Sequence, residues 1–234
     1  IILAAGRGER MRPLTDRVPK PLLRAGGSSL IEWQLERLTA AGIRDIVVNV
    51  SHLAEAIVAA LGDGARLGAR IRYSHEPQAL ETAGGIVQAL PLLGQGAFVA
   101  VNGDIYCEYD YARLPGTIER LERERPDWCA HLVLVDNPAH HPQGDFTLGS
   151  DGIVGASREG RLTFSGISAY RRGFFDGIAA GTRKPLGPML YEAAARGCLH
   201  GERFGGRWLD VGTPERLAQL QAALAAEQPT KAAR

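Results

Sequence analysis

Residues 1–21 read Ile1-Ile2-Leu3-Ala4-Ala5-Gly6-Arg7-Gly8-Glu9-Arg10-Met11-Arg12-Pro13-Leu14-Thr15-Asp16-Arg17-Val18-Pro19-Lys20-Pro21. A short apolar run gives way to small residues and two glycines. Fixed cations follow at Arg7, Arg10 and Arg12, and Lys20 closes the stretch. Apolar residues without alternation predict a strand buried on both faces. Ala4, Ala5 and Gly6 carry almost no side chain, so a ligand can approach their backbone N–H groups closely. The arginines can balance phosphate charge, and Lys20 adds a compact cation, which together make a polyphosphate cradle. A glycine turn after a core strand, with arginines on a solvated face, fits the same residues. Two familiar glycine motifs are excluded. Met11 stands where the dinucleotide fingerprint needs a third glycine, and no Gly-Lys-Ser/Thr follows.

The rest of the composition narrows the class. At 234 residues with 45% hydrophobic content, the chain can bury a substantial core as a single domain. Its 27 basic and 26 acidic residues leave a formal charge of +1, so no global field favours nucleic acid or membrane. Cys107, Cys129 and Cys198 form no CxxC pair, which predicts a reduced, cytoplasmic setting. No stretch approaches the ~20 apolar residues of a membrane span, and none reads as a signal peptide. The chain starts without Met inside an expected strand, so a few preceding residues are expected.

Buried strands then alternate with helices. Ser28-Ser29 caps a helix carrying Leu30, Ile31, Leu35 and Leu38, closed by Gly42. Strands are expected at 43–50, 70–74 and 98–101, with a helix over 53–61 and another ending at 90–93. This pattern predicts a parallel sheet with helices on both faces. Later come a charged helix over 114–125 stopped by Pro126, a strand over 129–135, and a hairpin around Ser150-Asp151-Gly152. An extended segment over 162–170, a helix over 186–195, and a short strand over 208–211 follow. Thr213-Pro214 opens a C-terminal helix, and residues 227–234 are expected to fray.

Two carboxylates stand at strand ends: Asp104 in Val101-Asn102-Gly103-Asp104 and Asp210 in Trp208-Leu209-Asp210-Val211-Gly212-Thr213. Ligands of open α/β sheets bind beyond the carboxyl ends of strands, which sets Asp104 beside the glycine loop. Each Asp alone also reads as a turn or cap residue. Together they suit magnesium, which takes one or two carboxylates and fills its other positions with water and phosphate oxygens. The adjacent His140 and His141 lack a second cluster at zinc spacing, and no Gly-x-Ser-x-Gly elbow supports a covalent serine.

The string Leu-Ala-Ala-Gly-x-Gly-x-Arg-Met-x-Pro-Leu-Thr, with Pro19-Lys20-Pro21, resembles the opening motif of the sugar-1-phosphate nucleotidyltransferases. Asp104 and Asp210 match that family's two magnesium-binding aspartates. The resemblance implies an α/β, Rossmann-like fold: a mixed, mainly parallel sheet flanked by helices, without the β-helix of longer relatives. It implies one domain, with residues 1–103 mainly binding nucleotide and 104–226 mainly binding sugar phosphate. Leu80-Glu81-Thr82-Ala83-Gly84-Gly85 takes the place of the base-reading segment, where Thr82 or Glu76 can add a side-chain contact. Thr82 reads equally as a helix cap.

Within the family the chain is most similar to the short bacterial N-acetylmuramate-1-phosphate uridylyltransferases. Four stretches carry this: 8–15, Leu80-Glu81-Thr82, 131–138 and 162–168. The resemblance implies nucleotide contacts from Leu3, Ala4, Ala5, Gly6, Gly8, Glu9, Arg10, Lys20, Glu76, Thr82 and Gly85. It implies a sugar pocket from Asn102, Asn137, Gly144, Asp145 and Gly166, although each of these also reads as a turn residue. One departure stands out. Where many relatives carry a Glu-Lys-Pro lysine against the sugar phosphate, this chain has Ser157-Arg158-Glu159-Gly160-Arg161. Arg158, Arg161 and Lys184 are candidate replacements, and each also reads as a solvated charge.

A sugar 1-phosphate is itself a nucleophile, since its second pKa is about 6. The enzyme need supply only alignment and charge neutralisation. The expected reaction is attack on the α-phosphorus of UTP by N-acetylmuramate 1-phosphate, with Mg2+ on Asp104 and Asp210. Catalytic roles fall to Arg10, Lys20 and Asp104, in a monomer or small homo-oligomer. The alternatives are another sugar (glucose- or mannose-type, with UTP, dTTP or GTP) or a non-catalytic nucleotide-sugar sensor.

Overall fold

The computed structural model describes residues 1–125 and 127–227. The expected helix stop at Pro126 and the tail 228–234 lie outside the described residues. Glu227 itself closes the last helix and accepts from Arg207.

β1 (Ile2–Leu3) lies next to the central strand of a seven-stranded sheet. It pairs in parallel with β4 (Asp45–Val50) and β6 (Phe98–Asn102), with Ile2 opposite Val48 and Val101. β5 (Arg70–His75) extends the β4 side in parallel. On the other side β11 (Thr163–Tyr170) runs antiparallel to both β6 and β8 (Ala130–Val135), and β12 (Leu199–Phe204) closes the edge parallel to β8. The sheet is therefore mixed and mainly parallel. Its inner strands are near-continuous apolar runs, because helices cover both faces. Three short ribbons lie outside it: β2 (Arg24–Ala25) with β3 (Ser28–Ser29), β9 (Thr147–Leu148) with β10 (Val154–Gly155) at the expected hairpin, and β7 (Ile105–Cys107) with β13 (Trp208–Asp210).

The helices follow their local signals. α1 (Leu30–Ala40) begins in a capping box: Ser29 Oγ accepts from Glu32 N–H, and the Glu32 carboxylate accepts from Ser29 N–H. α2 (Ala54–Leu61) ends at Gly62, and α3 (Glu81–Ala89) runs into a 3-10 turn at Leu90–Leu92. The charged helix expected over 114–125 is α4 (Leu114–Glu119), continued by a π-helical turn at Arg120–Glu124. α5 (Leu186–Ala195) packs on the β10–β12 side.

α6 (Pro214–Glu227) folds back onto the opening segment. Its Leu217, Leu220 and Leu224 bury against Met11, Leu23, Leu30 and Tyr106. Each such side chain contributes roughly 1.5–3 kcal/mol when fully buried, so the C-terminus clamps the phosphate-loop region. Two strands carry no legible signal in the sequence. β12 is a half-exposed edge with His200, Glu202 and Arg203 in it, which breaks any apolar pattern. β7 (Ile105–Cys107) is three residues long, and pairs antiparallel with β13 (Trp208–Asp210). Among the described residues no β-helix is present, and no helix is long and apolar enough to cross a membrane.

Candidate active site

The carboxyl ends of β1, β4 and β6 open onto a cleft of about 610 Å³. Leu3, Ala4, Ala5, Gly6, Gly8, Glu9, Arg10, Lys20, Glu76, Thr82, Asn102 and Asp104 all line it. The loop after β1 is pinned by its own residues. Met11 is fully buried, and its N–H donates to Gly8 O at 2.8 Å. Thr15 Oγ1 donates to the same carbonyl, also at 2.8 Å. Gly8 sits at φ +65, and a Cβ there would press on Lys20 Cβ and Thr15 Cγ2 at 3.0 Å. Glycine is thus required at 8 both for conformation and for space. Arg10 stays exposed above this anchored turn, and it makes no ion pair among the described residues.

One buried relay supports the loop from beneath. Asn49 is only 3% exposed. Ala4 N–H donates to Asn49 Oδ1 at 2.6 Å, and Asn49 Nδ2 donates to Glu76 Oε1 at 2.6 Å. Glu76 Oε2 accepts from Leu80 N–H at 2.9 Å. Burial pushes the Glu76 carboxyl above the usual carboxylate range, and the Leu80 and Asn49 donors pull the other way. Gly85 does not line the cleft. It lies behind the relay, where a Cβ would meet Glu76 Oε1 at 2.5 Å and Asn49 Nδ2 at 2.7 Å.

Thr82 does not cap α3. The Ala83 and Gly84 N–H groups donate to Lys184 O at 3.0 and 3.1 Å, and Lys184 N–H donates back to Leu80 O at 2.9 Å. A strap at 182–184 therefore supplies the cap from the other half of the chain. A Cβ on Gly84 would run into Thr182 O. Glu81, at φ 62, reaches Arg183 of the strap at 2.7 Å, and both residues line the cleft.

Asp104 lines the other end of the cleft, and Asp210, which does not line it, stands on the adjoining ribbon. Asp210 pairs with Ile105 across the β7–β13 ribbon, and Val211 N–H donates to Asp104 O at 3.2 Å. Each carboxylate faces a chain cation through its Oδ2. Lys20, 7% exposed, pairs with Asp104. Arg216 Nη1 donates to Asp210 Oδ2 at 2.8 Å. Arg216 Nη1 also contacts His140 Nε2 at 2.7 Å. A guanidinium only donates, so His140 accepts and keeps its ring proton on Nδ1. Burial and the Arg216 charge hold the His140 pKa below its usual value.

The donor set fits magnesium. Both Oδ1 atoms lack a protein donor among the described residues, giving two hard oxygens, one in the turn before β7 and one at the end of β13. No group of three or more His, Cys, Asp or Glu among the described residues could hold an ion alone. An ion there would depend on phosphate and water oxygens, as magnesium ordinarily does.

The sugar-side candidates divide. Gly166, at φ +84, forms a bulge in β11 directly over Asn102, whose Nδ2 would lie 2.6 Å from a Cβ at 166. Asn137, Gly144 and Asp145 do not line the cleft and are engaged elsewhere. Asn137 donates to Arg161 O at 2.9 Å and Pro142 O at 3.1 Å, and accepts from Thr163 at 2.8 Å. Gly144, at φ +60, leaves room for the Asn137 amide. Asp145 accepts from Phe164 N–H at 2.8 Å and faces His141 at 3.0 Å. These three fasten the 137–145 loop that carries His140. Of the charges considered for the sugar phosphate, Arg161 is tied to Ser157 O and Ala156 O, and Arg158 borders a separate cleft with Asn137. Lys184 is exposed and does not line the active-site cleft.

Sequence reasoning missed Asn49, Arg183, Arg216 and the placement of His140. Two had a signal. Asn49 interrupts the apolar run Ile46-Val47-Val48-Asn49-Val50, and Arg216 shares a helical stripe with Leu220 and Leu224 at i, i+4 and i+8.

The chain belongs to the nucleotidyl transferase family, whose model matches residues 1–144. It is 49% identical to an N-acetylmuramate alpha-1-phosphate uridylyltransferase of Neisseria meningitidis serogroup B, over 95% of this chain and 96% of that protein. It is 36% identical to a protein of the same name from Caulobacter vibrioides, over 96% of each. In fold it matches a Bacillus anthracis chain crystallised in complex with sucrose. The TM-score is 0.82 at 20% identity, over 95% of this chain and 93% of that one.

Proposed function

We propose that this enzyme transfers UMP from UTP to N-acetylmuramate 1-phosphate, giving UDP-N-acetylmuramate and pyrophosphate. The observation that carries the reading is the joining of three distant segments: the opening loop and Asp104 with Lys20 in the cleft, and the β13 ribbon that sets Asp210 next to the Asp104 turn. The two relatives named for this activity, matched over nearly their whole length, support the choice of sugar and nucleotide.

The proposed roles follow from what each group can do where it stands. The backbone of Ala4 to Gly8 and the Arg10 guanidinium hold the β- and γ-phosphates. The relay through Asn49 and Glu76 fixes the loop's entry at Ala4 and the Leu80 turn, so loop and base-reading segment keep one spacing. Thr82 faces the base from the first turn of α3. Lys20, anchored in a buried turn, reaches the α-phosphate and stabilises the charge that grows there. Mg2+ held by Asp104 and Asp210 would neutralise phosphate oxygens of both substrates. Asn102, with the backbone of Gly166, forms the sugar wall. Asn137, Gly144 and Asp145 shape the neighbouring loop without touching the sugar.

No side chain here need act as nucleophile, because the sugar phosphate brings its own. The cost the protein removes is that of aligning two anions in line. Incubation with UTP, N-acetylmuramate 1-phosphate and Mg2+ should yield a species of the mass of UDP-N-acetylmuramate. Recovery of both substrates intact would reject the assignment.

A further inference from the structure

Arg216 has an arrangement that a structural ion pair does not need. Its side chain is 10% exposed. One terminal nitrogen, Nη1, is doubly engaged by Asp210 at 2.8 Å and His140 at 2.7 Å. The other, Nη2, donates to no protein atom among the described residues. It rests against Gly212, where any Cβ would collide with it, and Gly212 lines the cleft. Glycine at 212 therefore leaves the Nη2 edge uncovered on the cleft side.

A second guanidinium reaches the same point. Arg10 Nη2 would lie 3.2 Å from a Cβ on Gly212. Two guanidinium groups thus approach the same face of Gly212, Arg216 already paired with Asp210 and Arg10 without an ion pair among the described residues. Asp210 offsets one of these charges, and an anionic ligand beside Gly212 would offset the other.

Which phosphate it takes follows from position. The cleft lined by the opening loop already offers Arg10, Lys20 and backbone N–H groups to the nucleotide. Arg216 itself does not line that cleft, and β13, whose Asp210 it holds, is tied to the sugar-side bulge of β11: Trp208 Nε1 donates to Ser165 O at 2.8 Å, next to Gly166. Three other cations of that half are occupied. Arg203 pairs with Asp136 at 2.7 Å, Arg113 with Glu202, and Arg161 with backbone carbonyls.

We propose that Arg216 holds the phosphate of the sugar 1-phosphate, presenting its Nη2 edge beside Gly212 while Asp210 and His140 lock Nη1. This rests on the uridylyltransferase reading above and adds a residue to it. Removing a charge-assisted donor of this kind corresponds to about a 30- to 100-fold loss of affinity.

The test is steady-state kinetics of the full chain, varying each substrate in turn, with UTP binding measured separately by calorimetry without sugar. R216A should raise KM for N-acetylmuramate 1-phosphate about 30- to 100-fold and leave KM and Kd for UTP within about threefold. R216K, which keeps the charge but loses the fork, should show the same split at about 10-fold. A rise in UTP KM as large as that for the sugar phosphate would overturn the assignment. So would unchanged KM values with only a lowered melting temperature. Absence of turnover by the wild type would instead defeat the underlying reading. A working wild type with no split in either variant defeats this inference alone.

Discussion

The Asn49 relay makes an unusual demand that a single-atom exchange can expose. In Asn49→Asp the shape is kept, and Oδ1 still accepts from Ala4 N–H. The Nδ2 donor, 2.6 Å from Glu76 Oε1, becomes a second carboxylate oxygen. Two carboxylates at that distance in a buried site cannot both be ionised, so the pair holds one proton. Forcing the second ionisation in such a site costs about 4 kcal/mol, the size of a strong shift for a buried carboxyl. The sign follows from the folded pKa lying above the unfolded one. Stability is fully present below the unfolded carboxyl value of about 4, and is lost as pH rises through the raised folded value. Urea unfolding by circular dichroism at pH 5, 6, 7 and 8 should show N49D falling progressively behind the wild type. The deficit should reach about 4 kcal/mol at pH 8, a large share of the 5–15 kcal/mol typical of a domain.

The double variant N49D/E76Q sharpens the point. The amide introduced at position 76 can accept from Leu80 N–H with its carbonyl and donate to the carboxylate introduced at position 49 with its nitrogen. Both bonds are then restored, with the charge moved to the other residue. The double variant should recover most of the lost stability and flatten the pH dependence. A pH-independent deficit in N49D, or no recovery in the double variant, would refute the relay as drawn.

Three further outcomes are expected. Asp104→Asn and Lys20→Ala should each lower kcat by about 10²–10³ while leaving the melting curve close to wild type; near-normal turnover would remove both from the reacting centre. Gly84→Ala should displace the 182–184 strap, since its Cβ meets the Thr182 carbonyl, a backbone atom that cannot rotate away. Overpacking and the loss of the Lys184 cap should cost about 2–4 kcal/mol and raise KM for UTP, both readable by urea titration and kinetics. Glu32 bears on acid stability. Burial opposes its ionisation, but Ser29 and Arg66 outweigh this and hold its pKa at about 2. Its contribution is therefore present above about pH 4.5 and fades as pH falls toward 2. Because its partner Arg66 is exposed and solvent screens the pair, Glu32→Gln should cost only about 1 kcal/mol at pH 6, and the difference should vanish near pH 2.

Where local chemistry decides structure, the sequence can be read directly. Ser29 and Glu32 mark the start of α1, Thr213-Pro214 the start of α6, and Ser150-Asp151-Gly152 the small hairpin. Strand direction in the second half is not legible, because an apolar run looks the same in parallel and antiparallel pairs; β11 runs against both of its neighbours. The meeting of Asp104 with Asp210 depends on a three-residue ribbon between segments a hundred residues apart, beyond any periodicity. Among site residues, those whose backbone or charge faces the cleft are visible from the opening motif. Asn137, Gly144 and Asp145 are harder to read, because residues that can build a pocket also build turns, and here the Asn137 and Asp145 side chains bond to Arg161, Thr163 and Phe164. Arg216 is hidden by the opposite effect, a cation among leucines on a helix that reads as ordinary.

The central claim is tested most directly by pyrophosphate release from UTP with Mg2+, measured across a panel of sugar 1-phosphates. The account predicts release with N-acetylmuramate 1-phosphate at a kcat/KM well above that for glucose 1-phosphate or mannose 1-phosphate. Release with glucose 1-phosphate but not N-acetylmuramate 1-phosphate, or no release with any sugar of the panel, would contradict it.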